Sequence, residues 1–203
     1  MNRILPGLAM AMAMCSFQVS AANDYEYAYT GLSGGVASFS DLCSNVPADC
    51  DDSALAYRLY TGARLLPSFG VEVGYTLMDD FGVSGYSVEP EGLDVTALYH
   101  IPMGSRLDLY AKAGGFFWDT TVNTNEATLN NNANLSQDDV DELTSRDGVA
   151  SGIDLRTGLG LRFGITSSIS LRADYDFVPD FGNNDLGGTD DLHIMSGAVE
   201  FHF

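Results

Sequence analysis

Residues 107–120 read LDLYAKAGGFFWDT, and up to Trp118 the odd and even positions carry different kinds of side chain. The odd positions hold small or apolar groups: Leu107, Leu109, Ala111, Ala113, Gly115 and Phe117. The even positions add an acid and a lysine to large aromatics: Asp108, Tyr110, Lys112, Gly114, Phe116 and Trp118. This period of two predicts a β-strand, and the fold depends on which of its two faces meets water.

The same period recurs in eight segments, and none shows a long helical period. Their approximate limits are 25–39, 54–66, 70–78, 93–101, 106–118, 151–163, 169–178 and 192–203. Tight connections at 67–70, 102–105 and 164–168 alternate with long polar ones at 41–52, 79–92, 119–147 and 180–191. The third long connection contains a short helical candidate, 135–146. Short turns at one end and long loops at the other predict an all-β, eight-stranded antiparallel up-and-down transmembrane β-barrel.

Charged side chains of both signs share the polar faces of these segments. Six of the eight basic residues beyond position 21 lie there: Arg58, Arg64, Lys112, Arg156, Arg162 and Arg172. In a lipocalin-like barrel the apolar faces would point inward and the charges would form an ordinary wet surface, which is the competing interpretation. In a small membrane barrel, opposite charges would pair inside and apolar groups would face lipid. This interpretation does not expose a continuous apolar exterior to water. We therefore expect Asp108 and Trp118 to face the interior and Leu109 to face lipid.

The chain begins with one basic residue, an apolar run from Ile4 to Phe17, and small residues before Ala22. This pattern predicts a signal peptide at 1–21, cleaved near Ala21, followed by one barrel domain at 22–203. Cys43 and Cys50 then form an even pair, and in an exported protein we expect a disulfide between them. The net charge of −19 disfavours binding to nucleic acid.

Three stretches resemble the transmembrane domain of the outer membrane protein A family. They are IPMGSRLDLYAKAGGFFWDT (101–120), GLGLRFGITSSISLRADYDFVPDFGN (158–183) and FGVEVGYTLMDD (69–80). The resemblance implies an eight-stranded barrel of a Gram-negative outer membrane, closed inside by acid–base pairs at Glu72, Lys112, Arg172 and Asp174. Leu98 stands where the family has a basic residue, and Arg162 where it has an acidic one. The family's peptidoglycan-binding domain is not expected here.

The polar faces add four further residues to the predicted interior network: Arg58, Arg156, Arg162 and Asp154. The last strand ends in VEFHF, which is similar to the final strand that such barrels present to the barrel-assembly machinery through a terminal Phe, here Phe203. The expected surroundings are outer-membrane lipid and lipopolysaccharide, and any external ligand of the loops stays open.

No motif indicates a cofactor, a metal site or a catalytic centre. His193 and Ser196 lie near each other in sequence but point to opposite faces of a strand, so we expect no enzyme. Nineteen of the 28 acidic residues lie in the four long loops, where calcium binding is an alternative to a solvated surface. We expect a structural, surface-display or weak channel role. The alternatives are a lipid-modifying enzyme and a soluble periplasmic ligand-binding barrel.

Overall fold

The computed structural model describes residues 27–40, 50–83, 86–124, 148–183 and 188–203. Within these ranges the chain forms ten β-strands. They are β1 (Tyr27–Phe39), β2 (Cys50–Asp51), β3 (Ser53–Leu66), β4 (Phe69–Met78), β5 (Phe81–Val83), β6 (Tyr86–Pro102), β7 (Leu107–Thr124), β8 (Gly148–Gly164), β9 (Ile169–Asn183) and β10 (Gly188–His202). Across the described ranges we find no helix long and apolar enough to cross a membrane.

Eight long strands close on themselves. Each pairs antiparallel with its neighbours in the order β1, β3, β4, β6, β7, β8, β9 and β10, and β10 pairs back onto β1. That closing ladder runs from the pair of Tyr29 and His202 to the pair of Phe39 and Leu192. The short strands β2 and β5 pair with each other, and β5 also pairs with β6. The predicted eight-stranded antiparallel barrel is confirmed.

The two ends of the barrel differ. At one end, which we call the turn end, residues 67–68, 103–106 and 165–168 connect successive strands. The opposite, loop end adjoins residues 41–49, 84–85, 125–147 and 184–187, which lie outside the described ranges. The helix predicted at 135–146, Cys43 and the predicted signal peptide at 1–21 also fall outside them.

Strands β6 to β10 extend further toward the loop end than the sequence predicted. The ladder between β6 and β7 reaches the pair of Tyr86 and Thr124, where strand limits of 93 and 118 were expected. Strand β8 likewise begins at Gly148 instead of 151, and strand β9 ends at Asn183 instead of 178. Alternation does not mark these extensions, because polar groups there occupy both faces of the strands. For that reason, the loop limits predicted next to strands β6 to β10 were wrong.

The outer face of the barrel is apolar. Large aliphatic side chains are about half exposed on every side: Leu32, Leu59, Leu77, Val95, Leu155, Leu159, Leu161, Leu171, Met195 and Val199. Exposed aromatic rings follow near the turn end: Phe69, Tyr99, Phe163 and Phe201. On β7 the predicted alternation is confirmed, since Tyr110 and Phe116 are fully buried whereas Phe117 is 43% exposed. Apolar groups therefore cover the surface that a bilayer would contact.

The interior contains two layers of different chemistry. Near the loop end it is filled by apolar side chains, and nearer the turn end by charged ones. The apolar layer, as we call it, comprises Ala37, Phe39, Ala56, Met78, Phe81, Phe116, Trp118, Ala150, Val178, Phe181, Leu192 and Ile194. The Trp118 and Phe181 rings lie 4.8 Å apart in this layer.

Glycines make room for the large interior side chains. Gly160 pairs across the ladder with Tyr110, and a β-carbon at Gly160 would overlap the Tyr110 ring. Tyr29 covers Gly62 in the same way, where the two residues pair directly. A barrel of eight strands has little interior space, so a glycine opposite each ring lets the ring lie across the lumen.

Candidate functional site

Four basic and four acidic side chains inside the barrel form a closed ring in which the charges alternate in sign. All eight are buried, and each has two oppositely charged neighbours at 2.6–3.0 Å. In order, this charge ring consists of Arg58, Asp94, Arg156, Asp176, Lys112, Asp174, Arg172 and Glu72. The ring is electrically balanced, which reduces the free-energy cost of keeping charges away from water.

One half of the charge ring is built on guanidinium groups. Arg58 donates from Nε and Nη2 to the two oxygens of Asp94, at 2.8 and 2.6 Å, and from Nη1 to Glu72 Oε1 at 2.8 Å. Arg156 donates to Asp94 Oδ1 at 2.8 Å and to Asp176 Oδ2 at 3.0 Å. The bidentate pair fixes the orientation of the Arg58 guanidinium as well as neutralising it.

The other half passes through an ammonium group. Lys112 Nζ donates to Asp174 Oδ1 at 3.0 Å and lies 2.9 Å from Asp176 Oδ1, an ion pair without hydrogen-bond geometry. Arg172 closes the ring with Asp174 Oδ1 at 3.0 Å and Glu72 Oε2 at 2.7 Å. The contact between Arg172 and Glu72 joins β9 to β4, which lie on opposite walls of the barrel. The charge ring thus ties together strands that share no backbone hydrogen bonds.

Tyrosines complete the shell around the charge ring. Tyr29 donates to Glu72 Oε2 at 3.0 Å, so β1 is also connected to the ring. Tyr110 donates to Asp174 Oδ1 at 2.7 Å and accepts from Arg172 Nε at the same distance. The Arg172 guanidinium carbon lies 4.5 Å from the centre of the Tyr60 ring, a cation–π distance. The Tyr110 hydroxyl thus satisfies the Nε donor of Arg172, which the carboxylates leave free.

A branch of the network continues to the turn end. Arg172 Nη1 and Arg162 Nη2 both donate to Glu200 Oε2, at 2.9 and 3.1 Å. Asp108 Oδ2 then accepts from Arg64 at 3.1 Å and lies 2.8 Å from His100 Nδ1. Polar groups therefore extend from the charge ring to the turn end, whereas the apolar layer covers its other side.

Of the predicted network residues, the structure brings seven together: Glu72, Lys112, Arg172, Asp174, Arg58, Arg156 and Arg162. Asp154 lies apart from them, nearer the loop end. Within the described ranges it accepts hydrogen bonds from Trp118 Nε1 at 2.6 Å and from the Gly182 amide at 3.3 Å. Its role is to hold the indole of the apolar layer in place.

Four carboxylates of the network were not among the predicted site residues: Asp94, Asp108, Asp176 and Glu200. Their positions on polar strand faces were the available signal. The pattern gave no partner for them, because partners such as Asp94 and Arg156 lie on strands that are not neighbours. Leu98 is fully buried in the interior.

A second polar cluster lies on the outer face of the barrel, near the loop end. His193 Nδ1 is 2.7 Å from the Tyr175 hydroxyl, and His193 Nε2 is 3.0 Å from Ser40 Oγ. The imidazole also stacks on Phe177 with the ring centres 5.0 Å apart. Ser196, its neighbour in sequence, faces the interior side as predicted. In the described part of the chain, no group of three or more His, Cys, Asp or Glu side chains is arranged to hold a metal ion.

A closed barrel with an apolar outer band and paired charges inside defines the chain as a transmembrane barrel of the outer-membrane type. The model of the OmpA-like transmembrane domain family matches residues 21–203, and the chain belongs to that family. Outer membrane protein A of Escherichia fergusonii is 26% identical over 217 residues, and that of Shigella flexneri 24% over 211. Both alignments cover 100% of this chain but only 56% of the relative.

The fold has known structural relatives as well. The crystal structure of Neisserial surface protein A matches with a TM-score of 0.62 at 16% identity, covering 89% of this chain and 98% of that one. This similarity concerns the fold alone. Family and fold together identify a protein of a Gram-negative outer membrane.

Proposed function

We propose that this barrel is a structural and surface-display protein, which anchors four connecting segments at the outer surface of the membrane. The observation that carries the proposal is the filled interior. The charge ring and the apolar layer together occupy the lumen, so the barrel is built as a rigid plug and not as an open pore. Rigid support suits connecting segments that carry function at the protein surface.

Epitope insertion tests the orientation on which this proposal rests. A short peptide tag inserted within 125–147, between β7 and β8, should be detected by antibody on intact cells. The same tag inserted within 103–106, at the turn end, serves as the matched control and should be detected only after the outer membrane is permeabilised. The opposite result for the two tags would refute the proposed display of the loops.

A weak channel is the second candidate function, favoured by the polar branch that runs from the charge ring to the turn end. Conduction would require the Glu72–Arg172 contact to open and water to enter the apolar layer, which resists wetting. Planar bilayer recordings should show small, infrequent openings that change when Glu72 or Arg172 is neutralised. Large steady pores would refute the filled interior.

A lipid-modifying enzyme is less well supported. Ser40 and His193 are hydrogen bonded, as a nucleophile and its base would be, but the Nδ1 partner is the Tyr175 hydroxyl. In serine hydrolases a carboxylate at that position orients the imidazole and stabilises its charged form. Tyr175 thus lies where such an enzyme has its carboxylate.

The proposed surroundings are outer-membrane lipid and lipopolysaccharide. For the acidic residues of the long connecting segments, binding of divalent cations that bridge lipopolysaccharide phosphates is the alternative to a solvated surface. Recognition of the last strand by the barrel-assembly machinery, through Phe203, remains a prediction.

A further inference from the structure

A groove crosses the lipid-facing surface of strands β7 to β10. It has a volume of about 490 Å³ and is lined by Ala111, Lys112, Thr157, Gly158, Leu159, Tyr175, Phe177 and His193. Small side chains on β7 and β8 form its floor, and the Tyr175, Phe177 and His193 rings form one wall. The groove rises from Ala111, four residues from the turn-end start of β7, toward His193, near the loop end.

The upper end of the groove is polar although the surface around it is apolar. His193 uses both ring nitrogens, one with Tyr175 and one with Ser40. A neutral imidazole has one donor and one acceptor, so one of the two hydroxyls donates to the ring and the other accepts from it. The accepting hydroxyl keeps its own proton for a further partner. A polar cluster in a lipid-facing position is costly without such a partner, and so indicates function.

The depth of the cluster identifies the partner's chemistry. His193 lies eight residues from Phe201, which is among the exposed aromatics near the turn end. For a tilted strand each residue rises roughly 2.5 Å along the membrane normal, so His193 is roughly 20 Å above Phe201. The apolar band of such barrels is about 25 Å tall. His193 therefore lies just inside the outer boundary, where acyl chains join their headgroups through ester and amide carbonyls.

We propose that the groove binds one acyl chain of an acylated glycolipid of the outer leaflet, whose ester or amide carbonyl accepts a hydrogen bond from the cluster of Ser40, His193 and Tyr175. This proposal rests on the loop end facing outward, as proposed above. Hydrocarbon is the medium that surrounds this face, and the groove is open to it. A neutral carbonyl suits the neutral hydroxyls of Ser40 and Tyr175.

Native mass spectrometry of the full chain, purified in detergent, tests the site. The probes are lipopolysaccharide and, separately, phosphatidylethanolamine. The wild type should retain one lipopolysaccharide molecule. Phosphatidylethanolamine also carries acyl chains with ester carbonyls, so it should be retained at the same site, whereas the outer leaflet supplies the glycolipid in the cell. Ala111→Phe, which fills the floor, and His193→Leu, which removes the polar end, should each lower lipopolysaccharide retention at least tenfold.

Ala63→Phe is the matched control, since Ala63 faces outward on β3, directly opposite β8 in the strand order. It should retain lipopolysaccharide as the wild type does. Heat-modifiable migration on a gel establishes that each variant is folded. Unchanged retention by Ala111→Phe or by His193→Leu, or release of free fatty acid from the bound lipid, would overturn the proposal. The epitope experiment is independent, so correct loop display with no lipid retention would refute this site alone.

Discussion

Neutralising Glu72 should destabilise the barrel more than any exposed charge would. Glu72 is fully buried and accepts hydrogen bonds from Arg58, Arg172 and Tyr29 at 2.7–3.0 Å. In Glu72→Gln an amide N–H replaces one acceptor oxygen, and the interior gains one uncompensated positive charge. Removing one partner of a buried ion pair lowers the free energy of unfolding by about 3–5 kcal/mol. With a urea slope of roughly 2 kcal/mol per M, the unfolding midpoint should fall by about 2 M.

Urea unfolding in lipid vesicles, followed by heat-modifiable migration, measures this shift. Glu91→Gln is the matched control, because Glu91 is exposed and accepts one hydrogen bond from Tyr75. Its midpoint should move by less than about 0.3 M, as expected for a surface group. In Glu72→Gln/Arg172→Met the charge balance returns, so the loss should be at least ~1 kcal/mol smaller than the sum of the two single losses. Equal midpoints for Glu72→Gln and Glu91→Gln would refute a stabilising role for the charge ring.

Three further outcomes follow from the interior packing and from the loop end. In the same urea assay, Gly160→Ala should lower the unfolding free energy by about 1–3 kcal/mol, because its methyl group displaces Tyr110. Gly34→Ala is the control and should leave the unfolding free energy unchanged, since its β-carbon would be 3.9 Å from Tyr57. Alkylation under denaturing, non-reducing conditions should leave Cys43 and Cys50 unmodified until a reductant is added; modification without it would rule out the predicted disulfide. If the acidic segments bind cations, calcium raises the melting temperature of the purified barrel in calorimetry; an unchanged temperature would count against cation binding and favour the solvated surface.

The strand pattern predicted the barrel because side-chain alternation is strictest where one face meets lipid and the other meets the lumen. On β7 that condition holds from Leu107 to Trp118, and the face of each residue was predicted from the sequence. Beyond Trp118 polar groups occupy both faces of the strand, so the pattern ends although the ladder continues to Thr124. The strand limits were therefore predicted well at the turn end. At the loop end they were predicted well for β1, β3 and β4 but poorly for β6 to β10.

The contents of the interior were only partly predictable for related reasons. Phe81 and Phe181 belong to the apolar layer, but both lie in segments that were predicted as loops. The pairing of charges depends on which walls of the closed barrel face each other. The alternation of side chains along each strand does not show which walls those are. The outer cluster at His193 was missed because its partner Ser40 lies at the end of β1, 153 residues away in sequence.

Spin-label accessibility at Leu171 tests the central orientation most directly. The label is attached to Leu171→Cys, with Ser170→Cys as the inward-facing comparison, after Cys43 and Cys50 are replaced by serine. Leu171 is 45% exposed and Ser170 only 1%, so the two neighbours should report different surroundings. We expect the label at Leu171 to be reached freely by oxygen and poorly by a water-soluble nickel complex, as in hydrocarbon. A label at Leu171 that neither reagent reaches, with Arg172 on the water-exposed side, would contradict the account.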